Sequence, residues 1–221
     1  MFNAEEYMRQ LVSALREQFG SRLTYVGLQG SYLRGEATED SDIDPMVVID
    51  DLSAADLDAY KAIVNAMGDA EKSCGFICGR AELANWNPLE ICHLLHSTKD
   101  YDGELSELVP AYTDTDVRNF AKLSVNNLSH EICHRYLHSS AEKNAERIAG
   151  SYKQVLFILQ NVHYLESGEF ASAQKELLPQ LEGKDKQVLR TAMDLKAGSG
   201  YEFRELFELL YSWCRDMMIR L

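Results

Sequence analysis

No apolar run in this 221-residue chain approaches the length of a membrane span, and its first ten residues, MFNAEEYMRQ, carry acids where a secretion signal carries bases. Both absences predict a cytoplasmic protein with no membrane partner. Basic residues are scarce: 22 Lys and Arg stand against 35 Asp and Glu, a net charge of −13, and no basic run interrupts the excess. Such a chain repels a polyphosphate backbone, which disfavours nucleic acid as a partner, and draws cationic small molecules toward any cleft. The five cysteines (Cys74, Cys78, Cys92, Cys133, Cys214) are odd in number and scattered, so the thiols read as reduced and mostly buried, with no disulfide framework. Internal repeats and low-complexity tracts are also missing. What is present, 46% hydrophobic and 26% charged residues, is an ordinary globular composition with length for one large core or two modest ones.

The pattern divides the chain in two. Met8, Leu11, Val12, Leu15 and Phe19 recur at helical spacing over residues 5–19, with Gly20 placed to cap that helix. RLTYVGLQ reads as a strand, residues 30–35 as a turn and IDPMVVI as a second strand. Ser53, with Asp56 three residues on, predicts the N-cap of a helix to about Met67, and CGFICGRAEL predicts a third strand. Residues 1–113 are thus expected to form an α/β domain with a small mixed sheet. Beyond residue 116 strand signals vanish, and helical periods over 116–138, 142–166, 170–181, 185–197 and 200–220 predict an all-α helical bundle over residues 114–221. The seam falls in ELVPAYTDTDVRN, where Pro110 breaks the pattern and the Thr/Asp cluster supplies the next N-cap.

One stretch, GSYLRGEATEDSDIDPMVVID from Gly30 to Asp50, carries chemistry. Side chains alternate along a strand, so Asp42 and Asp44 share a face while Ile43 points into the core. Two neighbouring carboxylates repel unless a divalent cation lies between them, and an all-oxygen site of this kind suits Mg²⁺ completed by substrate phosphates. Gly30 and Ser31 open a turn whose N–H and hydroxyl groups can hold phosphate oxygens, Arg34 adds positive charge, and Ser41 braces the start of the second strand. Pro45 holds Asp44 extended.

The order Gly-Ser, a spacer with Gly35, then Ser-Asp-x-Asp and MVVI resembles the signature of the nucleotidyltransferase superfamily related to DNA polymerase beta, over roughly residues 20 to 85. The later LLHSTKDYDGELSELVPAYTDTDV and VLFILQNVHYLESGEFASAQKELLP look like parts of aminoglycoside and lincosamide nucleotidyltransferases. The resemblance implies transfer of AMP from ATP to a hydroxyl on a small cationic molecule of the antibiotic class, with pyrophosphate leaving and two Mg²⁺ ions held by Asp42 and Asp44. It also implies a third carboxylate on a neighbouring strand, as metal ligand or base: Glu82 is the first choice and Glu90 the second, the interior of CGFICG having no acid. Lys175 resembles the basic residue that such enzymes bring to the phosphates from their second domain. Glu142, Glu146 and Glu166 would line an acceptor pocket between the domains, and a homodimer stays open.

Two alternatives keep the same residues: a protein-directed adenylyltransferase of the antitoxin type, and a catalytically degenerate nucleotide-binding module. HEICH, His130 to His134, matches the H-E-x-x-H zinc protease pattern, yet no third ligand follows at a family-like spacing and His138 extends the same helical face, so a histidine row is expected there. Cys74 and Cys78 read as core thiols, and Trp86, Phe157, Tyr164, Phe203 and Phe207 as packing.

Overall fold

A computed structural model describes residues 2–221. The chain forms two compact units, residues 1–111 and 112–221.

In the first unit, helix α1 (Ala4–Phe19) starts where Asn3 accepts from the Glu6 N–H and ends at Gly20 (φ +55°). It buries Tyr7, Met8, Leu11, Leu15 and Phe19. Strand β1 (Leu23–Gln29) leads into a one-turn helix α2 (Gly30–Leu33), where a plain turn was expected, and β2 is Asp44–Ile49. Helix α3 (Ala54–Ala66) carries the expected capping box of Ser53 and Asp56. The third strand, β3, stops at Phe76–Gly79. RAELA, a run of good helix formers, makes a short helix α4 (Arg80–Ala84), so the predicted strand over CGFICGRAEL is half helix and Glu82 lies on α4 rather than at a strand end. Helix α5 (Pro88–His96) follows, and with it Glu90 is helical as well. A fourth strand, β4 (Lys99–Asp102), escaped the sequence reading because KDYD has no apolar alternation.

The sheet order is β3-β2-β1-β4, with β2 antiparallel to β1, β4 antiparallel to β1, and β3 parallel to β2. One face buries Val26, Leu28, Ile43, Val47 and Ile49 against α1, with α3 residues Ala59, Tyr60 and Ile63 packed on the same cluster. The other face carries Tyr25, Met46, Val48 and Cys78 with Leu83 of α4, against which Leu94 and Leu95 of α5 pack. Both faces of β2 are covered, which is why MVVI is apolar without alternation. The ion pairs Arg16–Asp102 and Lys99–Glu5 tie α1 to β4.

The second unit is helical: α6 (Asp114–His138), α7 (Ala141–Ser167), the single turn α8 (Gln174–Leu177), α9 (Gly183–Lys196) and α10 (Phe203–Arg220). Thr113 and Asp116 form the capping box of α6. The core runs from Val125 and Leu128 through Tyr152, Leu156 and Leu159 to Leu210, Trp213 and Met217. The helix expected over 170–181 starts late: only Gln174–Leu177 is α-helical, followed by a 3-10 turn at Leu178–Gln180. Gly168 ends α7 in the left-handed region, and the buried Gln160 amide donates to the carbonyls of Ala171 (2.9 Å) and Ser172 (2.7 Å), claiming acceptors that a helix would use internally.

Candidate active site

Strand β2 begins at the site. Ile43 is fully buried and pinned by a parallel bridge to Ser73: its N–H donates to the Lys72 carbonyl (2.8 Å) and its carbonyl accepts from Cys74 N–H (2.9 Å). Alternation therefore turns Asp42, exposed, and Asp44, half-buried, to the opposite face. Burial first, and then the charge of Asp42, push the Asp44 carboxyl above its ordinary range, while Arg34 pulls the other way. Burial and the like charge of Asp42 thus both act against the anionic form, and the Arg34 charge offsets them in part.

Register pairs Asp44 with Gln29, the last residue of β1, and the next residue is Gly30 at φ +74°. A Cβ built there would stand 1.8 Å from Asp44 Oδ2, so the carboxylate occupies the volume any other residue would need. Two segments far apart in sequence thus interlock at one atom. Ser31 follows on α2, half-buried, its carbonyl accepting from Glu36 N–H (2.9 Å) and closing the turn. The first N–H groups of a helical turn have no partner within it. Arg34 is held half-buried by Glu36 at 3.2 Å. Ser41 Oγ accepts from Thr38 N–H (2.8 Å), bracing the loop that delivers Asp42.

The same sheet face carries groups the sequence reading did not name. Gln29 Nε2 donates to Thr98 Oγ1 (2.9 Å), and the buried Tyr25 hydroxyl donates to Asp100 of β4. Burial, then the charges of Arg34 and His96, push His93 on α5 down to about 4, which keeps a neutral imidazole next to the arginine that faces Asp44. His93 sits in a helical pattern indistinguishable from core packing, and no sequence signal marks it.

The expected third carboxylate is not beside the pair. Glu82 follows the far end of β3: Gly79 pairs with Ile49, five residues along β2 from Asp44, or about 16 Å of strand rise. Its carboxylate folds back over Gly79, where a Cβ would meet Oε2 at 1.9 Å, and after burial it helps raise the Cys78 thiol to about 11. Glu90 accepts from Trp86 Nε1 at 2.6 Å, one helical turn before His93. Register extended from the Ile43–Ser73 and Met46–Phe76 pairs instead sets exposed Cys74 next to Asp44. The adjoining Gly75 has no room for a side chain, since a Cβ there would come within 2.5 Å of the Pro45 carbonyl. Among the described residues no group of three or more His, Cys, Asp or Glu converges as a metal cage. The structure therefore brings together Gly30, Arg34, Asp42 and Asp44, with Ser31 and Ser41 in the flanking turns. Lys175 is exposed on α8 of the helical unit, Glu142 and Glu146 are exposed on α7, and Glu166 is paired with Arg220 at 2.5 Å.

Comparison with known proteins identifies the segment that carries this geometry. The family described as "Nucleotidyltransferase domain" matches residues 8–75, which span α1, β1, the turn, β2 and α3. A curated protein of Methanocaldococcus jannaschii, "Putative protein adenylyltransferase MJ0604", is 35% identical over 77 residues, covering 32% of this chain and 77% of the relative. Among solved structures, spectinomycin adenyltransferase AAD(9) from Enterococcus faecialis, crystallised with ATP and spectinomycin, superposes with a TM-score of 0.59 at 15% identity, over 98% of this chain and 100% of that one. At that identity the match speaks for the fold, a mixed sheet followed by a helical part. The matched segment contains Gly30, Asp42 and Asp44, and the chain belongs to the nucleotidyltransferase-domain family as a nucleotidyltransferase.

Proposed function

We propose that this enzyme transfers AMP from ATP, in a Mg²⁺-dependent reaction, to a hydroxyl group of a small cationic molecule of the aminoglycoside class. The observation that carries the reading is the Asp44 carboxyl: held over Gly30 beside Asp42, it is a half-buried oxygen site that burial and then the neighbouring Asp42 charge raise above its usual range. Two carboxylates with substrate phosphates suit Mg²⁺, which seldom needs a complete protein cage. Bound there, the ion would neutralise charge on the phosphate oxygens of the nucleotide.

The chain's own groups do the rest. Asp42 and Asp44 would hold the ion, the N–H groups opening at Gly30 and Ser31 would receive phosphate oxygens, and Arg34 would place its charge toward the triphosphate. The acceptor oxygen forms a bond to the α-phosphorus as the α–β bridging bond breaks, and pyrophosphate leaves. Positioning and charge supply most of the rate in such a transfer, so a missing strand-borne third acid lowers the rate without abolishing the reaction. Of the two acids weighed as proton acceptor, Glu90 is favoured over Glu82, because α5 also carries His93 into the field of Arg34.

The acceptor follows from charge. A net −13 favours cations, and AAD(9), whose fold spans both units of this chain, was crystallised with ATP and an antibiotic. A protein acceptor is the second reading, favoured by the name of the 35% identical relative. The deciding assay measures pyrophosphate release from ATP and Mg²⁺ across aminoglycosides and lincosamides, with Asp42→Asn plus Asp44→Asn as control. Acceptor-dependent release that the double variant loses supports the proposal. Labelled AMP on a protein supports the second reading, and Mg²⁺-dependent ATP binding without release under any acceptor means a nucleotide-binding module instead.

A further inference from the structure

The HEICH segment has no place in the transferase chemistry, and its geometry is not that of a protease. Glu131, the would-be base, is turned into α7: it pairs with Arg135 at 2.5 Å and accepts from Gln154 Nε2 at 3.0 Å. His130, His134 and His138 instead stand exposed along one side of α6 at i, i+4 and i+8. Their ring centres are 5.8 Å apart for His130 and His134, and 4.8 Å for His134 and His138. Among the described residues no protein group hydrogen-bonds to the three rings, which contact one another.

We propose that His134 and His138 form a two-histidine surface site for a divalent transition-metal ion of the Zn²⁺, Ni²⁺ or Cu²⁺ class. Imidazole nitrogen suits these ions and not Mg²⁺ or Ca²⁺, which take oxygen. The spacing discriminates between the two pairs. A metal about 2.05 Å from a ring nitrogen lies about 3.2 Å from the ring centre, so two rings at the tetrahedral angle have centres about 5.2 Å apart, and two at a right angle about 4.5 Å. The 4.8 Å of His134 and His138 falls inside that window. The 5.8 Å of His130 and His134 would need an angle of about 130°, outside either geometry.

The electrostatic setting agrees. His138 is the last residue of the 25-residue α6, where the final carbonyls present the negative pole of the helix to a cation, and the chain as a whole is strongly acidic. Because the chain supplies two ligands, water completes the shell, and the site takes one ion per chain.

The test is calorimetric titration of Zn²⁺ into untagged, reduced protein with saturating Mg²⁺, so that the carboxylate pair does not compete. His134→Ala and His138→Ala are expected to weaken binding by roughly 10-fold or more, the scale on which losing even a supporting partner weakens a metal site, while His130→Ala leaves it within about 2-fold. All three side chains are exposed, and a thermal melt of each variant checks its fold. Ring ¹⁵N shifts of His134 and His138 that move together on adding Zn²⁺ would support the pair. The inference is overturned if native protein binds no Zn²⁺, if binding survives His134→Ala unchanged because thiols hold the ion, or if His130→Ala abolishes binding while His138→Ala does not.

Discussion

Replacing Gly30 by alanine tests the interlock at the Asp42 and Asp44 pair with a single methyl group. The new Cβ would lie 1.8 Å from Asp44 Oδ2, whereas ordinary contact begins at 3.4 Å, so the carboxylate must retreat by the difference, 1.6 Å. A displacement of about 1 Å at reacting groups costs on the order of 100-fold in rate, and this one is larger, so kcat/KM should fall by about 100-fold or more, about 2.7 kcal/mol. The left-handed backbone adds a separate cost of about 1–2 kcal/mol in stability, because alanine at φ +74° carries the Cβ penalty that glycine avoids. Gly68 separates the two effects. It has φ +77° with nothing within 4 Å of its would-be Cβ, so Gly68→Ala incurs a similar backbone cost and no clash. Thermal melts should therefore show comparable losses in both variants. Mg²⁺-dependent ATP binding, and turnover with whichever acceptor supports release, should collapse in Gly30→Ala alone. If the two variants retain similar activity, the carboxylate can move freely and the interlock does not set the site.

Further outcomes follow from the same geometry. The raised Asp44 carboxyl means that the folded state binds its proton more tightly than the unfolded chain does, so this contribution to stability is present at low pH and is lost as pH rises through the elevated folded value. Asp44→Asn should remove that component from Tm measured against pH, and Mg²⁺ should raise the Tm of the native protein at neutral pH but not that of the variant. Cys74→Asp, placed by register beside Asp44, should tighten Mg²⁺ binding in calorimetry, whereas Glu82→Gln, about 16 Å of strand away, should leave both metal binding and pyrophosphate release nearly unchanged.

How much of this was legible depends on how local the signal is. Asp42-Ile43-Asp44 could be read because a two-residue period needs no knowledge of distant partners, and α1 because Met8, Leu11 and Leu15 recur on one face. Glu82 misled for the same reason. RAEL carries an apolar–acid–apolar pattern that extends the strand signal to Glu82, whereas RAELA is a run of good helix formers that turns the chain to helix after Gly79. Strand β4 was invisible because its pairing with β1 is specified by backbone, with Lys99 and Asp102 spent on ion pairs to α1. Residues 170–173 read as helix until Gln160, on another element, takes their carbonyls. The neutral His93 is a matter of burial and neighbours, which no spacing records.

The late position of β4 also bears on how the chain is made. β1 is an inner strand, yet the partner on its second side lies about 70 residues downstream, so at about 5–20 residues per second a ribosome completes the sheet roughly 4 to 14 s after β1 emerges. Throughout that interval one side of β1 presents open hydrogen-bonding groups, the very template on which strands of neighbouring nascent chains pair. When β4 arrives it closes that side with charges matched to Arg16 and Glu5 on α1, so α1 gains these two ion-pair partners only once the distant strand is in place.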